Sequence, residues 1–426
     1  MSKTPFNTDN IWHPFTQMKT ATEPIHIVKG SDCTLFTGDG TTYIDAVSSW
    51  WVNIHGHCNK KIARAIAKQA NTLEHVIFAG FTHTPAIDLA TILTQMLPPN
   101  LKKVFFSDDG STSVEVALKM AIQYWHNLGF KNKTKLIAFE NAYHGDTFGA
   151  MSVAGRNEFN AAFNNFLFDV HHIPIPTKDN IDLVTRQFLQ LAEGDNVAAF
   201  IFEPLVQGAA GMQMYEPVYL DQLMEIAAKK NIICIADEVM TGFGRTGKYF
   251  AIDYLQNKPD IICLSKGITG GFMPLGVTVS SLNIFNAFYA EDVTKTFFHG
   301  HSYTANPLAC AAANESMKIL QSKKCQRQIK AICESHQIFA TQLTTNPLVK
   351  NVRQRGTIIA FELNTKEESS YFNSIKNAAY NYYLSKGVFL RPMGNVIYIL
   401  PPYCITADEL QKIYEVIFQS LPFLLQ

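Results

Sequence analysis

Short apolar runs, each separated from the next by a polar turn and often by a helical pattern, recur through the middle of the chain. Val104-Phe105-Phe106, Leu136-Ile137-Ala138-Phe139, Val197–Phe202, 232–236, Ile261–Leu264 and Val277-Thr278-Val279 have the length and near-continuous apolar character of strands buried on both faces. Helical spacing of apolar positions over 114–128 and 220–230 supplies covers for such strands. This alternation predicts an α/β fold with a mostly parallel, doubly wound central sheet. After about residue 316 the texture changes. A charged helical stretch over 317–342 leads to short strands around 357–362, 388–391 and 396–400. A last helix should start at Thr406, where Thr406-Ala407-Asp408-Glu409 reads as a capping box. These features suggest a smaller α+β domain at the C-terminal end.

The chain has 426 residues, 47% hydrophobic and 17% charged, which is the profile of an ordinary globular protein with room for two domains. Its 36 basic and 36 acidic residues cancel, so no net field favours nucleic acid or an anionic membrane. Any anionic ligand must be held locally. The first ten residues are polar and lack the apolar core of a signal peptide, and no apolar stretch reaches the roughly 18 residues of a membrane span. None of the eight cysteines falls in a C-x-x-C pair, and Cys234 and Cys263 lie inside apolar runs, so a reducing cytoplasm is expected.

Two strand ends carry the first candidate chemistry. Asp237 follows the run 232–236, and Lys266 follows Ile261–Leu264 and Ser265, 29 residues later (266 − 237). That spacing fits one β–α–β unit of roughly 30 residues, which sets both carboxyl ends on one crevice. A lysine and an aspartate there suit pyridoxal phosphate (PLP), with an amine to capture its aldehyde and a carboxylate to keep its pyridine nitrogen protonated. Taken singly, they also suit a surface lysine and a strand-end cap.

Other stretches must be weighed alongside. Ser107-Asp108-Asp109-Gly110-Ser111-Thr112 joins a strand to a helix expected near Val114, and its free N–H groups could bind phosphate or simply form a capped helix. Asp109 must then point away from the anion. Tyr143, after Leu136-Ile137-Ala138-Phe139, could stack on a flat ring or belong to the core. Gly242-Phe243-Gly244-Arg245-Thr246-Gly247-Lys248 matches G-x-G-x-x-G literally. Five residues separate it from Ala236, Tyr249 to Ile252 reads poorly as a helix start, and Tyr249 stands where a P-loop needs Ser or Thr, so nucleotide binding is a remote alternative. His55-Gly56-His57-Cys58 and His299-Gly300-His301-Ser302 supply no closed ligand set, and no metal is expected.

Taken together, Ile235-Ala236-Asp237-Glu238-Val239, Thr241 to Gly247 and Leu264-Ser265-Lys266-Gly267 resemble the class III, fold-type I PLP aminotransferases, along nearly the whole chain. Trp12-His13-Pro14-Phe15, Ser48-Ser49-Trp50-Trp51, Tyr143-His144-Gly145-Asp146 and Arg391-Pro392 with Tyr398 narrow the resemblance. They point to the branch that aminates 8-amino-7-oxononanoate in biotin synthesis with S-adenosylmethionine as donor. The resemblance implies a large PLP-binding domain over 61–315 and a small domain built from 1–60 and 316–426. It implies Lys266 and Asp237 as the catalytic pair, with Gly110, Ser111, Tyr143, His301 and Ser302 holding the cofactor. Phe15, Trp50, Tyr143, Lys266, Gly300, Arg391 and Tyr398 would meet the substrate. A homodimer is implied, with His301 and Ser302 serving the neighbouring subunit. Two positions depart from the pattern. Phe15 stands where some relatives have tyrosine, which leaves lysine open as an alternative donor, and Ser302 stands where threonine is common. Another class III ω-aminotransferase, a non-catalytic PLP binder and a nucleotide-dependent enzyme are the rival readings.

Overall fold

In the computed structural model the described residues are 8–425. The opening of the polar N-terminal stretch, residues 1–7, lies outside them.

All six expected runs form strands of one central sheet. Its spatial order is Leu101–Ser107, Gly276–Ser281, Ile261–Leu264, Ile233–Asp237, Val197–Phe202, Lys135–Phe139 and His171–Ile173. The five strands from Ile261–Leu264 to His171–Ile173 are mutually parallel. Gly276–Ser281 runs antiparallel to both of its neighbours. The sheet is therefore mixed but mostly parallel, an α/β fold. Its inner strands are buried along their whole length, so alternation is absent and continuous apolar runs are what the geometry demands. Helices Gly110–Asn127 and Pro217–Lys229 lie against it.

The first of these helices begins at Gly110, not near Val114. Apolar periodicity starts only at Val114, while the preceding turn is fixed by Asp109, whose side chain accepts the Thr112 N–H in a reciprocal capping box. The stretch 317–342 also differs from expectation. It is split between helices Pro307–Gln321 and Lys323–Thr344, because Ser322 ends one and caps the next through the Cys325 N–H. The residue-316 boundary thus falls inside a continuous helix. Partners change after Ser322: the earlier helix lies on Lys60–Ala70 and Thr84–Met96, the later one on Val349–Arg355 and Ile358–Leu363. We propose Ser322 as the domain boundary.

Among the described residues, two small sheets and a two-stranded ribbon, Val206–Gln207 with Gln213–Met214, complete the fold. Val349–Arg355, Ile358–Leu363 and Val396–Ile399 form an antiparallel one. Ile27–Ser31, Thr34–Thr37 and Thr42–Asp45 form the other, and Val388–Phe389 joins it in parallel beside Thr42–Asp45. The N-terminal segment is thereby built into the C-terminal region. The last helix, Ala407–Leu424, starts at the expected cap, with Thr406 and Glu409 bonding reciprocally. Among the described residues no helix is long and apolar enough to cross a membrane.

Candidate active site

The carboxyl ends of the parallel strands open on a cavity of about 1170 Å³. Asp237 is the last residue of its strand and lies opposite Cys263 in the neighbouring one, so Lys266 follows three residues beyond that register point. Both line the cavity. Lys266 takes a left-handed backbone (φ 45°) at the head of a tight helical turn, and its amine lies 4.5 Å from the centre of the Trp51 ring. Burial lowers its pKa to about 8, against the opposing pull of Asp237 and Glu203; Arg245 lowers it further.

Asp237 is buried and held on two sides. His144 Nδ1 meets one carboxylate oxygen at 2.7 Å, and the Val239 N–H donates to the other at 3.0 Å. Tyr143 also lines the cavity, its N–H donating to Glu203 at 3.0 Å and its hydroxyl to Asp146 at 3.0 Å. Glu203 accepts a second N–H, from Gly208, and burial pushes its pKa up to about 7. Gly110 and Ser111 sit at the cavity wall where the helix begins. A Cβ on Gly110 would stand 2.7 Å from the Val239 side chain, and one on Gly145 would overlap Ser111 Oγ. Asp109 is turned into the cap, and the Gly110 and Ser111 N–H groups have no intrahelical partner at that helix start.

A second group of residues forms the outer wall. The Arg391 guanidinium lies 4.2 Å over the Trp50 ring, and Phe15 meets the same ring edge-on at 5.3 Å. Among the described residues no carboxylate pairs with Arg391. Tyr398 is buried and accepts the Trp51 indole N–H at 3.2 Å. Gly300, His301 and Ser302 are not among the described residues that line this cavity; the His301 side chain lies 3.9 Å from Asp108.

Several residues of the site are given no role by the sequence reading, although Trp51 and His144 stand in its motifs. Trp51 lies under the Lys266 amine, His144 supports Asp237 across 93 residues, and Glu203 braces Tyr143. Arg245, from the stretch that mimics a dinucleotide motif, is buried. It donates to the carbonyls of Pro401 at 2.8 Å and Trp51 at 3.1 Å.

A half-buried lysine and a buried aspartate, just beyond and at adjacent strand ends of such a sheet, share one cavity, an arrangement that suits group transfer to or from an amine. The family model for class-III aminotransferases matches residues 16–421, and the chain belongs to that family. It is 48% identical over 421 residues to the adenosylmethionine-8-amino-7-oxononanoate aminotransferase of Synechococcus elongatus, covering 97% of this chain and 98% of that one. The solved enzyme of the same description from Methanocaldococcus jannaschii superposes with a TM-score of 0.90 at 36% identity, with 97% of each chain covered. An amine transaminase from an uncultivated Pseudomonas species, solved PLP-bound, gives a TM-score of 0.91 at 29% identity, covering 97% of this chain and 98% of that one.

Proposed function

We propose that this chain is a PLP-dependent transaminase that aminates 8-amino-7-oxononanoate to 7,8-diaminononanoate for biotin synthesis, taking the amino group from S-adenosylmethionine. The observation that carries it is the shared cavity of Lys266 and Asp237, and the similarity to enzymes of that description supports the substrates.

The residues present fit PLP. Gly110 and Ser111 would hold its phosphate at a helix start whose wall leaves no room for larger side chains. Tyr143 offers a flat ring. Asp237, its carboxylate already oriented by His144 and Val239, would face the pyridine nitrogen. When bound, the cofactor supplies an aldehyde for amine capture and a ring that accepts the electrons left on the substrate carbon. Lys266 would move the proton: its amine, eased toward the neutral form by burial, would take it from the substrate carbon and deliver it to the cofactor's former aldehyde carbon. Arg391 suits the acceptor's carboxylate, which a guanidinium grips through both oxygens, with Trp50 as the wall for the methylene chain. Tyr398 holds Trp51 in place beneath the lysine.

The reading extends to a homodimer. Gly300, His301 and Ser302 lie outside their own cavity wall, and Phe298 and Tyr303, beside them in the sequence, leave apolar surface uncovered. Such a dimer, working in the cytoplasm, would bring Ser302 to the partner's phosphate.

The decisive experiment is single turnover of the PLP-loaded protein with adenosylmethionine, lysine, alanine and ornithine in turn. Adenosylmethionine is expected to discharge the cofactor's visible absorbance, and 8-amino-7-oxononanoate to restore it. A response to lysine alone would reassign the donor, a reading that Phe15 leaves open because its ring lacks a hydroxyl. Failure of every donor, with absorbance unchanged, would reduce the protein to a PLP binder.

A further inference from the structure

We propose that Asp45 is a positioning residue for the substrate wall, its carboxylate holding the Ser48–Trp51 turn in the shape that aims both indoles into the cavity. The inference rests on the reading of Trp50 as that wall.

Asp45 ends the strand Thr42–Asp45 and has no exposed surface. One carboxylate oxygen accepts the Val47 N–H at 3.1 Å. The other accepts the Ser49 N–H at 2.7 Å, the Ser49 hydroxyl at 3.2 Å and His57 Nε2 at 2.8 Å. The first holds the residue that leads into the turn, and the next two hold Ser49 within it. That turn is costly for its sequence: Ser48 (φ 51°), Ser49 (φ 59°, ψ −95°) and Trp51 (φ 68°) are left-handed without being glycine. Trp50 sits among them, its ring under Arg391, and Trp51 carries its ring beneath the Lys266 amine. The turn's outer face is tied by the Ser48 hydroxyl to the Leu400 carbonyl and by Arg245 to the Trp51 carbonyl. The Ser49 N–H, at the residue farthest from ordinary backbone geometry, bonds to Asp45.

His57 belongs to the His55-Gly56-His57 stretch that suggests a metal at first sight. Here it backs the carboxylate. Gly30 lets it approach, since a Cβ there would stand 2.8 Å from His57 Cβ. Without the clamp, the turn would relax toward ordinary backbone angles and swing both indoles away.

The test compares Asp45→Asn with Asp45→Asn/Ser49→Gly. Asparagine leaves one oxygen for two N–H groups, so the turn loosens. Glycine adopts a positive φ without help, so it should restore the shape. For the single variant, KM for 8-amino-7-oxononanoate is expected to rise roughly tenfold with kcat within about threefold, and the glycine to recover most of the loss. An unchanged KM beside a lowered melting temperature, or a loss that glycine leaves untouched, would reduce Asp45 to a structural residue and overturn the proposal. If the wild type does not aminate this ketone, the functional reading fails separately. The clamp is then judged in the cofactor-free protein by acrylamide quenching of Trp50, taken as the difference from a Trp50→Phe background. Greater quenching on Asp45→Asn supports it, and equal quenching sinks it. Should Asp45→Asn not fold, His57→Gln withdraws support from behind the carboxylate without touching the turn. A KM increase of roughly threefold is then expected, and none would count against the clamp.

Discussion

Two influences compete at Lys266. Burial disfavours its charged form, while Asp237 and Glu203 favour it. Burial wins, bringing the amine down to about 8. For a cationic group the sign is plain: the neutral amine, which is the nucleophile and the base, prevails above about 8 instead of above 10.5. Between those values the unfolded chain binds a proton that the folded chain lacks, so this group's contribution to stability rises with pH. Capture of PLP by the apoprotein, followed by its absorbance, should therefore accelerate through pH 8 and level off about a unit higher. A rate still climbing at the pKa of a free lysine would show that burial has not tuned the amine. Arg391 faces the opposite situation, since its charge has no carboxylate among the described residues and is left for a ligand. Arg391→Ala should weaken the half-reaction with the keto acid by roughly 2–5 kcal/mol, the usual cost of truncating a desolvated charge pair. The donor half-reaction serves as the comparison, and an unaltered single-turnover constant with the ketone would make Arg391 merely a partner for Trp50.

At the scale of elements, legibility followed burial. The inner strands were readable because a strand covered on both faces must be apolar throughout, and Val197–Phe202 is buried at every position. Ile27–Ser31 is mostly exposed, and Val349–Arg355 reads VKNVRQR, so neither differs from a polar loop by pattern alone. Caps were legible where two residues signal together, as at Thr406 and Glu409, and missed where a single serine does the work, as at Ser322. The Thr406 cap can be measured. Thr406→Ala should destabilise the protein by about 1 kcal/mol, read as a lowered denaturant midpoint with an unchanged slope. Ala407–Leu424 lies against Ile375–Ser385, far along the chain from the strand ends of the cavity, so kcat should hold. A loss of activity at full occupancy would mean that this helix supports the site more directly than its contacts suggest.

At the scale of the whole molecule, the candidate site divides into a part carried by local sequence and a part that only topology assembles. Asp237 and Lys266 were visible because strand ends recur at β–α–β spacing. The relation of Trp51 to Lys266 was not, because a residue from the N-terminal segment reaches the sheet only through long-range ties. Arg245 is the chief of these. Its guanidinium, buried and with no carboxylate paired to it among the described residues, donates to Trp51 and Pro401, while its backbone carbonyl accepts the Thr357 N–H, so three distant stretches meet at one residue. Arg245→Met keeps the bulk and removes the donors, leaving two buried carbonyls short of partners at about 1–3 kcal/mol each. Relief of the buried charge offsets part of that, so a net loss of about 2–4 kcal/mol is expected. The same charge lowers the pKa of Lys266, so its removal must raise it. The variant should therefore unfold earlier and also show its PLP-capture profile displaced to higher pH, whereas Arg245→Lys should lose stability with a smaller displacement. A destabilised Arg245→Met protein whose profile stays at the wild-type pH would confine Arg245 to a structural tie and leave burial alone to account for the amine.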